Sequence, residues 1–193
     1  MILDQVRAHL RGHFAGVEPD SASVTFLGAE PIEVLRFGSG TARLAHYVSL
    51  GCSRHPMTDP TQLVADPQRG PRAEVVLRLR DSGPVTGLAR SMAILAATPA
   101  VDGVVLVADA LIDLGAPLWT GVPFTAVLLG RSDIPDLGLQ PPLEPVQFLS
   151  ATPITGNEAA WVRLKGAEAM RQAWQKDGVD VLDPNRRAVQ PGR

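Results

Sequence analysis

The residues best suited to chemistry lie close together in the first third of the chain. Cys52, His55 and Asp59 fall within eight positions, and His46 precedes them. A thiolate nucleophile with a histidine base, or a metal held by sulfur, nitrogen and oxygen ligands, uses these residue types. The alternative interpretation of this sequence is therefore a metal- or thiol-dependent enzyme centred on Cys52 and His55.

The spacing of these residues argues against both kinds of site. Cys52-x-x-His55 supplies half of a metal site, and no matching pair of Cys or His follows it. His9 and His13 lie one helical turn apart, but the glutamate of a zinc-protease helix is absent between them. A cysteine that follows an apolar strand is more often a small buried side chain than a nucleophile. We therefore expect no catalytic residue, no bound metal and no cofactor.

Composition and motifs narrow the function further. The chain has 193 residues and a net charge of −2, without the concentrated basic surface of a nucleic-acid-binding protein. The G-x-S-x-G, P-loop and G-x-G-x-x-G patterns are absent, so neither a hydrolase nor a nucleotide site is indicated. We expect no small-molecule substrate and no nucleic-acid partner.

The same reading predicts a cytoplasmic protein. The most apolar region, Met92 to Leu114, is interrupted by Pro99, Asp102 and Asp109, which excludes a membrane span. Asp4 interrupts the apolar N-terminus, and no signal-peptide cleavage site follows it. The single cysteine, Cys52, excludes an internal disulfide framework and suits a reducing compartment.

The elements that must position these residues indicate an α+β domain. Apolar residues recur with helical spacing at residues 2–14, and a second helix after Ser82 is expected to stop at Pro99. Strand patterns separated by short turns occupy residues 24–27, 32–37, 43–50, 74–80 and 124–129. We expect a mixed, largely antiparallel β-sheet flanked by about three α-helices.

The last part of the chain has the strongest local signals. A strand from Val146 to Pro153 leads into a capping box, with Thr155 as N-cap and Glu158 at the third helical position. One helix is predicted over residues 157–176, with Gly178 as its left-handed C-cap. Its apolar side consists of Leu164, Ala167, Met170, Ala173 and Trp174. We expect one domain over residues 1–183 and a flexible C-terminal tail over residues 184–193.

The residues from 146 to 184 also resemble a known family. The order V-x-F-L-x-x-x-P-I-T, E-x-x-W, K-G-A-E-x-M, W and D-V-L-D-P is similar to the C-terminal part of the suppressor-of-fused domain family. Upstream, residues 47–57 (YVSLGCSRHPM) resemble the family's strand-and-turn segment, and residues 72–77 resemble its next strand. The resemblance spans nearly the whole chain.

The resemblance implies a non-catalytic module whose partner is a protein or peptide. In animal members the fold binds a short transcription-factor peptide as an added strand, in a groove lined by acidic and apolar side chains. A second domain closes that groove in those members, and we expect no counterpart of it in this chain. Bacterial relatives are thought to serve as immunity proteins that neutralise a toxin, and this chain looks more like those.

Two residues are candidates for contact with such a partner. Asp109, in Val107-Ala108-Asp109-Ala110-Leu111, resembles the family's groove acid. Trp161 projects among the polar residues of the last helix, so its indole is either covered by residues 179–184 or exposed for a partner. We name both as candidate protein-binding residues.

Overall fold

The computed structural model of the protein describes residues 1–38 and 43–190. Its strands are β1 (Asp20–Val24), β2 (Ile32–Gly38), β3 (Leu44–Leu50), β4 (Arg72–Arg80), β5 (Leu111–Asp113), β6 (Phe124–Arg131) and β7 (Val146–Thr155). They form one sheet in the order β1-β2-β3-β4-β7-β6-β5. Among these strands β4 and β7 run parallel, and the other neighbouring pairs are antiparallel. The predicted α+β class with a mixed, largely antiparallel sheet is confirmed.

Helices cover both faces of this sheet. They are α1 (Ile2–His13), α2 (Leu88–Asp102), α3 (Gly156–Lys165) and α4 (Ala167–Lys176), and Cys52–Arg54 forms a short 3₁₀ turn. The described chain thus has four α-helices where about three were expected. None of the helices in residues 1–38 and 43–190 is long and apolar enough to cross a membrane.

The alternation of side chains along β7 shows how the helices divide between the faces. Leu149 and Ala151 belong to the apolar core that includes α2. Phe148 packs with the α1 core and Ile154 with the α3 and α4 core. Because successive strand residues point to opposite faces, α2 covers one face, and α1, α3 and α4 share the other.

The predicted single helix over residues 157–176 is wrong, because the chain breaks it at Gly166. That residue has φ 92° and ψ 167°, a conformation open to glycine, and it separates α3 from α4. The helical phase is reset at the break. As a result Leu164, which was predicted on the buried side, is 74% exposed, whereas Met170 and Trp174 are buried as expected.

Other boundaries also differ from the expectation. The first strand comes earlier, at Asp20–Val24 instead of residues 24–27. Pro99 does not stop α2, which continues to Asp102. Pro99 has no N–H to donate to the carbonyl four residues before it, and the hydroxyl of Thr98 donates to that carbonyl, Leu95 O, at 2.8 Å. The helix therefore continues without leaving this acceptor unpaired.

The capping box and the C-cap are confirmed. The Glu158 backbone N–H donates to Thr155 Oγ1 at 3.2 Å, and the Thr155 N–H donates to Glu158 Oε1 at 3.0 Å. At the end of α4, Gly178 has φ 61°. The Val179 N–H donates to Trp174 O at 2.9 Å, as in a Schellman motif.

The chain is packed against the domain beyond residue 183, where a flexible tail was predicted. Arg186 is 7% exposed and Val189 is 5% exposed. The Arg186 guanidinium donates to Glu158, and its Nη2 also donates to Pro153 O at 2.7 Å. A buried carboxylate therefore holds the segment after Asp183, which a reading of local polarity could not detect. Residues 191–193 lie outside the described part.

Candidate functional site: a groove beside Asp109

A groove lies on the sheet face that carries α4. Its residues are Ala108, Asp109, Leu128, Gly130, Arg131, Ser150, Thr152, Arg171, Trp174 and Val181, and its volume is about 460 Å³. On β6, Leu128 and Gly130 face the same side of the sheet as Ile154 of β7, and so do Ser150 and Thr152 of β7. These four residues form the floor of the groove. We call this feature the Asp109 groove.

Asp109 is held in an unusual conformation at the edge of this groove. Its φ is 70°, a region that non-glycine residues seldom adopt and that occurs preferentially at functional sites. Its backbone N–H donates to Leu129 O at 2.9 Å. Its carboxylate accepts from Arg171 Nη1 at 2.6 Å, so backbone and side chain are both fixed.

Arg171 forms the wall of the groove and ties it to the sheet. Besides Asp109 it reaches Leu129 O, to which Nη2 donates at 3.1 Å. A Cβ atom at Gly130 would lie 3.2 Å from the same Nη2 atom. The glycine thus gives the guanidinium room to lie close to the strand. The result is a preorganised polar wall above an open floor.

Trp161, the second predicted partner-binding residue, lies elsewhere. It is half-buried on α3, packed against the apolar cluster that also contacts Val179 and Val181. Its indole Nε1 is buried and has no hydrogen-bond partner among the described residues. It is not one of the residues that line the Asp109 groove. The structure therefore does not bring the two predicted site residues together.

Cys52 and His55 lie in different environments. Cys52 is buried, and burial together with the nearby Glu74 carboxylate raises the pKa of its thiol well above the ordinary value. His55 is exposed, and its Nε2 lies 2.7 Å from Glu30 Oε2. An activated cysteine requires a lowered pKa and a nearby base. The arrangement therefore does not favour a nucleophilic Cys52.

The turn that contains Cys52 is held by a buried carboxylate. Glu74 Oε1 accepts from the backbone N–H groups of Gly51 and Ser53, both at 2.9 Å, and from Ser53 Oγ at 2.6 Å. Ser49 Oγ donates to the other oxygen. Burial raises the pKa of Glu74, although these hydrogen bonds oppose the shift. This network accounts for the position of the turn as a structural feature.

A second cavity, of about 480 Å³, lies beside this turn. Its polar rim consists of Glu30, Arg54 and His55, and its other side is the C-terminal end of α2. The rim groups pair with one another: Glu30 lies 3.4 Å from Arg54 Nη1 and 2.7 Å from His55. Among the described residues no three His, Cys, Asp or Glu side chains come together as metal ligands. This cavity thus offers a ligand fewer unpaired polar groups than the Asp109 groove.

Reading the sequence found one member of the Asp109 groove and missed the rest. Arg171, Ser150 and Thr152 were assigned only to a helix and a strand. Ser150 and Thr152 carried a signal, because two hydroxyls with period-two spacing in a mostly apolar strand mark one polar stretch of its face. Arg171 carried none, because its partner Asp109 lies 62 positions away.

The mixed sheet and its helices define the protein as an α+β domain. The family model described as suppressor of fused protein (SUFU) matches residues 28–187. The chain therefore belongs to the suppressor of fused family, which is a family of protein-interaction domains. None of the curated proteins compared with this sequence matches it.

Solved structures show the same fold at low sequence identity. A SUFU homolog from Neisseria gonorrhoeae superposes with a TM-score of 0.67 and 17% identity, over 96% of this chain and 94% of the other. A chain of the Sufu–Fu complex gives a TM-score of 0.70, 15% identity and coverages of 97% and 91%. Drosophila Suppressor of Fused gives 0.69 and 15%, and the match covers 97% of this chain and 50% of that protein.

Proposed function

We propose that the protein is a non-catalytic domain that binds a polypeptide partner at the Asp109 groove. The observation that carries this proposal is the groove itself, with Asp109 held at φ 70° and Arg171 fixed across it. Preorganised polar groups around an open, partly apolar floor suit recognition, because little conformational freedom remains to be lost on binding. One of the solved structures with this fold is a complex of Sufu with Fu.

The strand next to the groove suggests how a partner is held. β5 pairs with β6 on one side and ends the sheet on the other. An extended segment can add to such an edge through main-chain hydrogen bonds, while its side chains enter neighbouring pockets. Asp109 lies two residues before β5, so a segment added there passes close to the groove.

The narrower form of the proposal is an immunity protein that neutralises a toxin in the cytoplasm. It is supported by the resemblance to bacterial members of the family and by the match that covers 94% of the Neisseria gonorrhoeae chain. The single cysteine, which is free and buried, suits a reducing compartment.

Site-specific photo-crosslinking in the native host tests the proposal. A benzophenone amino acid replaces Thr152 on the groove floor, or Arg90 on α2 as the matched control on the opposite face. We expect a covalent adduct with one polypeptide from position 152 and none from position 90. An adduct from position 90 with none from position 152 would place the binding surface elsewhere, and no adduct from either position would count against a polypeptide partner.

A further inference from the structure

The Asp109 groove carries more positive than negative charge. Its lining contains two arginines, Arg131 and Arg171, and one acid, Asp109. Asp109 neutralises Arg171 at 2.6 Å. Arg131 is exposed, and its side chain forms no ion pair or hydrogen bond within the described part of the chain. One cation at the groove therefore lacks a counter-charge.

A second cation extends this charge across the sheet. Val76 of β4 pairs with Ser150, so Arg78, two residues further along, shares the sheet face of Ser150 and Thr152. Arg78 is half-buried and makes no ion pair with any described residue. The pKa of His46, its cross-strand neighbour, is lowered by burial and then by the charge of Arg78, while Asp133 opposes the shift.

Two hydroxyl groups on the floor also lack partners. Ser150 and Thr152 line the groove and are half-buried. Neither hydroxyl makes a hydrogen bond to another described residue. Hydroxyls next to guanidinium groups offer a carboxylate a set of donors, and hydrogen bonds to a charged group are stronger than neutral ones.

We propose that the groove recognises an acidic side chain of the polypeptide partner. Arg131 at the groove and Arg78, beyond it on the same face of the sheet, supply the charge, and Ser150 and Thr152 supply the additional donors. This inference rests on the proposed function and specifies the partner's chemistry at the same site. It differs from the expectation drawn from the family resemblance, in which acidic side chains line the groove. Charge complementarity across an interface favours the matching partner, and a like charge placed opposite an acidic group weakens binding.

Selection from a phage-displayed library of random peptides tests the inference without a known partner. Immobilised protein is compared with an R78Q/R131E variant and with R90E, which reverses an exposed arginine on the opposite side of the sheet. We expect peptides selected by the unaltered protein and by R90E to be enriched in Asp and Glu. The affinity of one such peptide should fall at least about tenfold in R78Q/R131E. The thermal midpoint of each variant confirms that it is folded, and R131E alone replaces the double variant if that one is not.

Three results would overturn the inference, and they are distinguishable from failure of the proposed function. Selected peptides without acidic enrichment would show that the protein binds peptides but not through anions. Acidic enrichment that survives in R78Q/R131E would place the anion site elsewhere. If the unaltered protein selects no peptide, the inference fails, and the photo-crosslink from position 152 then decides separately whether the groove binds a larger polypeptide.

Discussion

Arg186 and Glu158 form a buried bidentate ion pair that fastens the C-terminal segment to the first turn of α3. The distances from Nη1 to Oε2 and from Nη2 to Oε1 are both 3.0 Å. Glu158 also accepts from Trp174 Nε1 at 2.8 Å. The Arg186 guanidinium lies over the rings of Phe124 and Trp174, at 4.9 and 5.6 Å. One glutamate therefore closes a helix cap and holds a segment 28 residues away.

Replacing Arg186 with Met should lower the free energy of unfolding by about 3–5 kcal/mol, because it leaves a buried carboxylate without its counter-charge. Chemical denaturation measures the change. Replacing the exposed neighbour Arg187 with Met is the matched control and should cost no more than about 0.5 kcal/mol. Equal, small losses from both substitutions would show that the buried pair does not hold this segment.

The two buried glutamates should respond to pH in opposite directions. Burial favours a higher pKa for Glu158, but hydrogen bonds from Arg186, Trp174 and Thr155 outweigh it, and the pKa lies below the ordinary 4.5. Its contribution to stability is therefore present above 4.5 and is lost as the pH falls through the folded-state pKa. The pKa of Glu74 is raised, so its contribution is present below 4.5 and is lost as the pH rises through the folded-state pKa.

Glutamine substitutions separate these effects when unfolding is measured between pH 3 and pH 7. At pH 7, E158Q should cost several kcal/mol, in the range of about 3–5 for a broken buried pair. E74Q should change the free energy by no more than about 1 kcal/mol, since an amide oxygen keeps most of the hydrogen bonds. Equal losses at pH 7 would contradict the opposite shifts.

The capping box should contribute measurably to the stability of α3. Thr155→Ala removes the acceptor for the Glu158 N–H and should cost roughly 0.5–2 kcal/mol. Thr25→Ala, at an exposed position between β1 and β2, is the control. A thermal midpoint that is the same for both variants would mean that the cap hydrogen bond has no net effect.

Contact between Trp161 and residues 179–184 stays a prediction and can be measured by fluorine NMR. Protein labelled with fluorotryptophan gives separate signals for Trp119, Trp161 and Trp174. No tryptophan has to be replaced, so the hydrogen bond from Trp174 to Glu158 stays intact. A soluble paramagnetic quencher should broaden the Trp161 signal only weakly, and V179S should increase the broadening. Strong broadening in the unaltered protein would instead make Trp161 a candidate partner anchor, to be tested as Trp161→Ala for loss of binding.

Local signals predicted those parts of the fold that depend on neighbouring residues. The cap at Thr155, the glycine at position 178 and the strand at residues 74–80 follow from steric and hydrogen-bonding rules that act over a few positions. The helix break at Gly166 was not predicted, because Lys165, Ala167 and Glu168 on either side of it are good helix formers. One glycine in such a run lowers helix propensity by only about 1 kcal/mol.

Long-range pairing explains what the sequence could not reveal. The parallel pairing of β4 with β7 joins residues about seventy positions apart, such as Val76 and Ser150. Arg186 was assigned to the flexible tail because its partner, Glu158, lies 28 positions away. Asp109 was found by resemblance, whereas the arginine that completes its site depends on how α4 lies over the sheet.

The affinity of the photo-crosslinked partner for matched tryptophan variants tests the central claim most directly. Thr152 is half-buried on the floor of the groove, whereas Thr25 is exposed between β1 and β2, outside the groove. An indole at position 152 fills the open floor, and the thermal midpoint of each variant shows that it is folded. The account predicts that T152W weakens binding of the purified partner at least about tenfold, equivalent to about 1.4 kcal/mol, and that T25W leaves it unchanged. Equal affinities for the unaltered protein, T152W and T25W would contradict a binding site at the Asp109 groove.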